Sequence, residues 1–265
     1  MALHIPTFLT RLGSSIVFAT IMLTGLLWNE WAFLTLVCLM NILCLRDYFR
    51  LMQKIDKEAH WPKWLPVAVQ VTSLLFISVN IYAGLIVLFC VPAILLLASV
   101  LSKKNALLAM LQSTGGLLYI TLPMFLLYSL RQHNFILPLA LILMIWCNDT
   151  MAYLVGSFLG KNPLSSVSPK KTWEGTIGGA LLTIIGAGIF GYYTNAYHLI
   201  DWIMLALCAT VAGTFGDLLE SKLKRMADVK DSGTLMPGHG GALDRFDSLL
   251  IAAPFAFVYV TYFMR

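Results

Sequence analysis

Charge is scarce along this chain. Asp, Glu, Lys and Arg make up 12% of its 265 residues, against 59% hydrophobic residues and a mean hydropathy of +0.80. That balance lies far outside the soluble globular range, and no stretch is polar enough to form a separate water-soluble domain. Solenoid-type repeats and low-complexity tracts are lacking too. The five cysteines, Cys38, Cys44, Cys90, Cys147 and Cys208, all fall within apolar runs. None has paired metal-ligand spacing, which argues against zinc and a disulfide framework and leaves them as small buried hydrophobes. The net charge of +5 would suggest an anion-binding surface on a soluble protein. Here the placement of the charges says more than their sum, and no nucleic-acid partner is expected.

What the chain has instead is apolar runs of membrane-spanning length. They lie near 12–28, 31–45, 64–79, 81–101, 106–129, 135–158, 174–193, 200–219 and 248–264. The expectation is an all-α polytopic integral membrane protein of about nine transmembrane helices. With a cytoplasmic N-terminus, 16 of the 18 basic residues fall on the inner side, leaving Arg131 and Arg265 outside. The positive-inside rule therefore supports nine spans and an outward C-terminus. A signal peptide is the competing reading of residues 1–28. No small-residue cleavage site precedes Trp28-Asn29-Glu30-Trp31, so an uncleaved first helix is expected.

Function is expected to be unevenly distributed. Residues 1–130 form the N-terminal region of about five spans and carry no constellation that reads as chemical. Within them 52–63 resembles an interfacial segment, its lysines acting as topology determinants. Residues 131–265 form the catalytic transmembrane region. Its densest part, 221–247 (SKLKRMADVKDSGTLMPGHGGALDRFD), packs five cations, four carboxylates, a His and four glycines between apolar runs. Such density beside a membrane suits a charged ligand. Lys and Arg match phosphates, paired carboxylates match Mg²⁺, and glycines let backbone N–H groups approach anions.

Residue spacing refines this. Asp217, Glu220 and Ser221 share a helical face, with Lys224 one turn on from Glu220. Lys230-Asp231-Ser232-Gly233 and Pro237-Gly238-His239-Gly240-Gly241 cannot be regular helix and expose backbone donors. Asp244-Arg245-Phe246-Asp247 leads into the last span, Asp244 and Asp247 on one face. Asp217 and Asp244 could meet as helix-end ligands for divalent cation. Asp149 lies inside an apolar run, where an ionised carboxylate costs roughly 2.5–3.5 kcal/mol, and should face a cavity, a cation or a partner. Lys161, Ser168, Lys170, Lys171 and Thr172 precede the seventh span, with Thr172 or Ser168 as its cap and the lysines forming a phosphate-binding corner. Gly178, Gly179, Gly186 and Gly188 should allow close helix packing.

The pattern closely resembles the signature of the phosphatidate cytidylyltransferases (CDP-diacylglycerol synthases). It is met at Ser221, Leu223, Lys224, Arg225, Lys230, Asp231, Gly233, Pro237, His239, Gly240, Gly241, Asp244, Arg245 and Asp247. Asn148-Asp149, Gly160-Lys161, Ser168-Pro169, Lys171-Thr172-Trp173-Glu174-Gly175 and Gly216-Asp217 are similar to further family features. Three positions depart: Ser157 where relatives usually carry Arg or Lys, Met236 where a branched aliphatic or Phe is usual, and Ala242 where a larger aliphatic is usual. The resemblance implies cytidylyl transfer from CTP to phosphatidate, giving CDP-diacylglycerol and pyrophosphate. It implies a catalytic set of Asp217, Lys224, Arg225, Lys230, Asp231, His239, Asp244, Arg245 and Asp247. Substrate contacts are implied at Asp149, Lys161, Ser168, Lys170, Lys171, Thr172, Glu220, Ser221, Gly240 and Gly241. Asp217 and Asp244 would hold Mg²⁺, as one ion, two divalent ions, or one divalent ion with K⁺.

A CTP-dependent polyprenol or phytol kinase, and a membrane transporter, are the competing readings. A transporter should spread functional polar groups over both halves, whereas here they gather in one. The compact length points to the bacterial inner membrane with the site facing the cytoplasm; a homodimer is compatible with the sequence.

Overall fold

The computed structural model describes residues 5–56, 90, 93–94, 97, 106–194, 196–235 and 240–264. Among them the structure is all-helical apart from one isolated antiparallel bridge between Pro163 and Thr172. The chain divides into two compact units, Met1–Tyr128 with Leu223–Phe246, and Ser129–Lys222 with Asp247–Arg265.

In the first unit, α1 (Ile5–Trp28) and α2 (Glu30–Ile55) are joined by a single residue, Asn29. Its side chain accepts the Ala32 N–H at 2.8 Å and caps α2. No Pro or Gly interrupts 30–55, so α2 continues ten residues beyond the apolar run that begins it. Helix α3 (Ala106–Gly116) passes through a π-helical turn (Leu117–Thr121) into α4 (Leu122–His133). Phe33, Val37, Cys44 and Leu45 of α2 are fully buried, as are Ile120 and Leu127. Three polar pairs lie inside this apolar mass, the arrangement a membrane interior favours. The Tyr48 hydroxyl donates to the Gln112 carbonyl at 3.0 Å, Thr121 to Asn41 at 3.1 Å, and Tyr128 to Glu30 at 2.8 Å.

The second unit is built on α5 (Ile136–Leu159), α6 (Trp173–Thr194) and a long rod. The rod comprises α7 (Leu199–Leu207), a π-helical turn (Cys208–Ala212) and α8 (Gly213–Met226), whose last turn belongs to the first unit. Helix α9 (Leu243–Tyr262) completes the described chain. Helices α5 and α6 approach until backbones touch: a Cβ on Gly179 would lie 2.7 Å from the Ala152 nitrogen, and one on Gly175 would lie 2.9 Å from Gly156 Cα. Gly178 faces Val155 equally closely, whereas Gly186 faces open space and Gly188 meets only Leu199 at 3.9 Å. The packing expectation thus fails for Gly186. Ile177, Leu181, Ile185 and Ile189 recur every four residues along α6 and are all exposed, a stripe suited to lipid rather than water.

Five helical segments among the described residues are long and apolar enough to cross a membrane: Glu30–Ile55, Leu111–His133, Ile136–Leu159, Trp173–Thr194 and Leu199–Met226. Gly13–Trp28 is a shorter apolar helix. The runs expected at 64–79 and 81–101 lie wholly or largely outside the described residues.

Candidate active site

In the second unit, Asp217 and Glu220 stand three apart on α8, and Asp247 lies in the first turns of α9. One carboxylate oxygen from each falls within 4.8 Å of the others. Glu220 is completely buried, and Asp217 and Asp247 are half-buried. Gly216 permits the approach, since a Cβ there would run into the Asp247 carbonyl and sit 3.1 Å from Ser248 Cα. Like charges so close raise one another's free energy unless cations neutralise them. One cation is supplied within the fold: the Lys171 ammonium is ion-paired with Asp217. The Ser221 hydroxyl donates to the other Asp217 oxygen at 3.3 Å.

Lys171 is carried by an ordered loop. Thr172 Oγ1 accepts the Gly175 N–H at 3.1 Å, so Thr172 rather than Ser168 caps α6. Ser168 contributes its carbonyl, which accepts the Lys171 N–H at 3.0 Å. The Glu174 carboxylate turns back to take the N–H of Lys161 at 3.1 Å, the N–H of Asn162 at 3.2 Å and the Asn162 side chain at 2.7 Å. Lys161 and Lys170 are exposed. Asn148 is buried in α5 while Asp149 is exposed. Ser157, also exposed, donates to the Tyr153 carbonyl at 2.7 Å.

The first unit holds the other charged residues of the signature. Asp244 is enclosed by donors: Lys224 Nζ at 2.6 Å on one oxygen, and on the other the N–H groups of Ser232 at 2.8 Å and Gly241 at 2.7 Å with the Ser232 hydroxyl at 2.7 Å. These charge-assisted bonds to a side chain only 5% exposed fix the loop that follows α8. Gly240 adopts φ +81°, a conformation glycine accepts without strain. Arg225 donates to the Val229 carbonyl at 3.4 Å, and exposed Arg245 donates its backbone N–H to Ala242 at 2.9 Å. Lys230 and Asp231 are exposed at the mouth of a cavity. His239, like Met236, lies outside the described residues.

Beneath this loop is a residue that the sequence did not single out. Asp47, in α2 and only 4% exposed, accepts the N–H of Ala242 at 2.6 Å and of Leu243 at 3.4 Å. Gly233 and Gly241 press against its carboxylate so closely that neither leaves room for a Cβ. Arg50, one turn on, stands 3.9 Å from it. Unlike Asp149, a carboxylate inside an apolar run, Asp47 follows the 31–45 run in a charged stretch and carries no such signal. Its neighbours Arg46 and Arg50 masked it by reading as topology determinants.

A model of the cytidylyltransferase family matches residues 9–263. Three relatives are each named phosphatidate cytidylyltransferase. That of Haemophilus influenzae is 41% identical over 138 residues, covering 50% of this chain and 48% of the relative. That of Bacillus subtilis is 46% identical over 121 residues, 45% of each chain. That of Synechocystis sp. is 46% identical over 120 residues, 44% of this chain and 40% of the relative. The chain thus spans about half the length, or somewhat less, of the curated relatives it matches.

Proposed function

Because the chain belongs to the cytidylyltransferase family, we propose that it transfers the cytidylyl group of CTP to phosphatidate, giving CDP-diacylglycerol and pyrophosphate for phospholipid synthesis. The observation that carries this reading is the trio of Asp217, Glu220 and Asp247 with Lys171 ion-paired to Asp217. Three carboxylates facing one point offer hard oxygen donors and three negative charges, of which Lys171 offsets one. That donor set suits Mg²⁺. Bound by Asp217, Glu220 and Asp247, Mg²⁺ supplies Lewis-acid neutralisation of phosphoryl charge.

A phosphate oxygen of phosphatidate forms the new bond to the α-phosphorus of CTP. The bond from that phosphorus to the oxygen bridging to the β-phosphorus breaks, and its electron pair leaves with pyrophosphate. The nucleophile is already anionic, so no strong general base is needed; alignment and charge neutralisation carry the rate. Lys171 holds phosphoryl oxygens at the carboxylate trio and limits repulsion there. Lys224 is committed to Asp244 and orders the loop behind Lys230, while Arg225, Lys230 and Arg245 present charge to phosphates. Lys161 and Lys170, exposed beside the cap of α6, draw in the nucleotide electrostatically. The acyl chains of phosphatidate stay in lipid along apolar helices such as α6, and CTP arrives from the cytoplasmic face of a bacterial inner membrane, where basic residues concentrate both anions.

The test uses detergent-purified protein, phosphatidate, Mg²⁺ and CTP labelled at the α- or the γ-phosphorus. Lipid-extractable α-label with release of pyrophosphate is the expected outcome. Transfer of γ-label alone to a lipid would make the protein a lipid kinase, and lipid labelling from neither position would reject both.

A further inference from the structure

The connection between α5 and α6, residues 160–172, lies wholly in the second unit and carries Lys171. A loop of that length would normally sample many backbone conformations. Here its two arms are laced together. Trp173 donates its N–H to the Asn162 carbonyl at 3.0 Å, Pro163 and Thr172 form the isolated bridge, and Leu164 donates its N–H to the Lys171 carbonyl at 2.7 Å. Lys171 gives its own N–H to Ser168 at 3.0 Å, so both of its backbone groups are held.

Glu174, in the first turn of α6, closes the base of this loop. One oxygen takes the Lys161 N–H at 3.1 Å and the Asn162 N–H at 3.2 Å, and the other takes the Asn162 side-chain amide at 2.7 Å. Both oxygens are thus engaged by loop donors, and Glu174 is not one of the three carboxylates that gather at Asp217. Nor does α6 need it as a cap, because Thr172 fills that place. The helix dipole favours a Glu in the first turn, but it does not account for a side chain turned back onto three loop donors.

A lysine reaches its target through a flexible stem that carries about 2 kcal/mol of rotamer entropy. Where the loop sets the Lys171 backbone therefore decides how well the ammonium meets Asp217. A misplacement of about 1 Å can cost about 100-fold in rate. We propose that Glu174 is a positioning residue for cytidylyl transfer: it ties down Lys161 and Asn162 and, through the Lys171 backbone, aims the ammonium at Asp217. In this role Glu174 touches neither substrate nor metal. The inference rests on the cytidylyl-transfer reading, in which Lys171 offsets the trio's charge and holds phosphoryl oxygens.

The experiment compares full-length wild type with Glu174→Ala, Glu174→Gln, Lys171→Met and the two doubles that join Lys171→Met to each Glu174 variant. It measures kcat and KM for both substrates, the melting temperature, and the acetylation rate of each lysine by N-hydroxysuccinimide acetate, read by mass spectrometry. Glu174→Ala should lower kcat by about tenfold or more, and Glu174→Gln, which keeps the reach and one acceptor oxygen, by less. In the Lys171→Met background either change should move kcat by less than about twofold, since residues acting through one another are not additive. Acetylation of Lys171 should rise about threefold or more in Glu174→Ala as the ion pair loosens, while exposed Lys222 on α8 reacts as in wild type. Equal losses of kcat with and without Lys171 would overturn the proposal. So would a lower melting temperature with kcat and Lys171 labelling unchanged, which would make Glu174 a tie of the loop alone. If Glu174→Ala does not fold, Glu174→Gln carries the same cycle and labelling. If the wild type makes no CDP-diacylglycerol, the functional reading fails. Labelling then still decides the aiming of Lys171: faster acetylation in the Glu174 variants supports it, and an unchanged rate rejects it.

Discussion

The Asp47 carboxylate accepts the Ala242 N–H at 2.6 Å across 195 positions of sequence. It takes the Leu243 N–H as well, so a carboxylate from α2 caps the start of α9 and favours the positive end of that helix. Removing it leaves two buried N–H groups without their charged acceptor. Hydrogen bonds to charged groups contribute about 1.5–3 kcal/mol. Asp47→Ala should therefore lower the melting temperature and depress turnover by loosening the loop that Asp244 orders. Asp47→Asn keeps one acceptor oxygen and should recover much of the stability. Thermal unfolding in detergent alongside the radiolabel assay checks both. An Ala variant as stable and active as wild type would reject the capping role.

The carboxylate trio makes a sharper prediction. Asp217→Asn and Asp247→Asn each remove a charge without changing shape, and each should reduce turnover by about two orders of magnitude or more. Folding should survive, because the substitutions relieve repulsion at a half-buried site. The Mg²⁺ concentration for half-maximal residual activity should rise. Turnover and Mg²⁺ dependence like wild type in either variant would remove the trio from the reaction.

Much of this arrangement could be read along the chain. The helices that begin at Ile136, Trp173 and Leu199 follow apolar runs that announce them, and the 221–247 signature advertises its chemistry because so many charges and glycines interrupt an apolar sequence. Pairings across long separations are another matter. Neither spacing nor composition links Asp47 to Ala242, or Lys171 to Asp217 46 positions away. Helix periodicity placed Asp217 and Glu220 on one face, and the sequence reading paired Asp217 with Asp244 as metal ligands; the carboxylates that gather with Asp217 are Glu220 and Asp247, and the Gly216 contact with the Asp247 carbonyl brings in Asp247.

Two glycines separate close approach from bare helix propensity. At Gly216 an added methyl would meet the Asp247 carbonyl and Ser248 Cα. Gly216→Ala should push α8 from α9, spread the carboxylates, and cost both melting temperature and activity. At Gly186 nothing lies within 4 Å, and replacing Gly in a helix interior gains about 1 kcal/mol. Gly186→Ala should leave activity intact and hold or raise the melting temperature. The contrast between the two in one assay is the check; equal behaviour would deny Gly216 its spacing role.

Lys171 offers a test that joins electrostatics to metal binding. Its ammonium is the cation seen paired with Asp217, so Lys171→Met leaves three carboxylates with less compensation. Repulsion among them should lower the melting temperature in chelator, and added Mg²⁺ should restore more stability to the variant than to wild type, since a bound cation takes over the neutralisation. Activity should nevertheless stay at least about tenfold below wild type at saturating Mg²⁺, because the contact to phosphoryl oxygen is lost. Lys171→Arg keeps the charge and should behave like wild type in the melting experiment. If Mg²⁺ shifts the melting of wild type and Lys171→Met equally, the lysine and the metal do not share the trio. The ion pair with Asp217 would then be a structural contact alone.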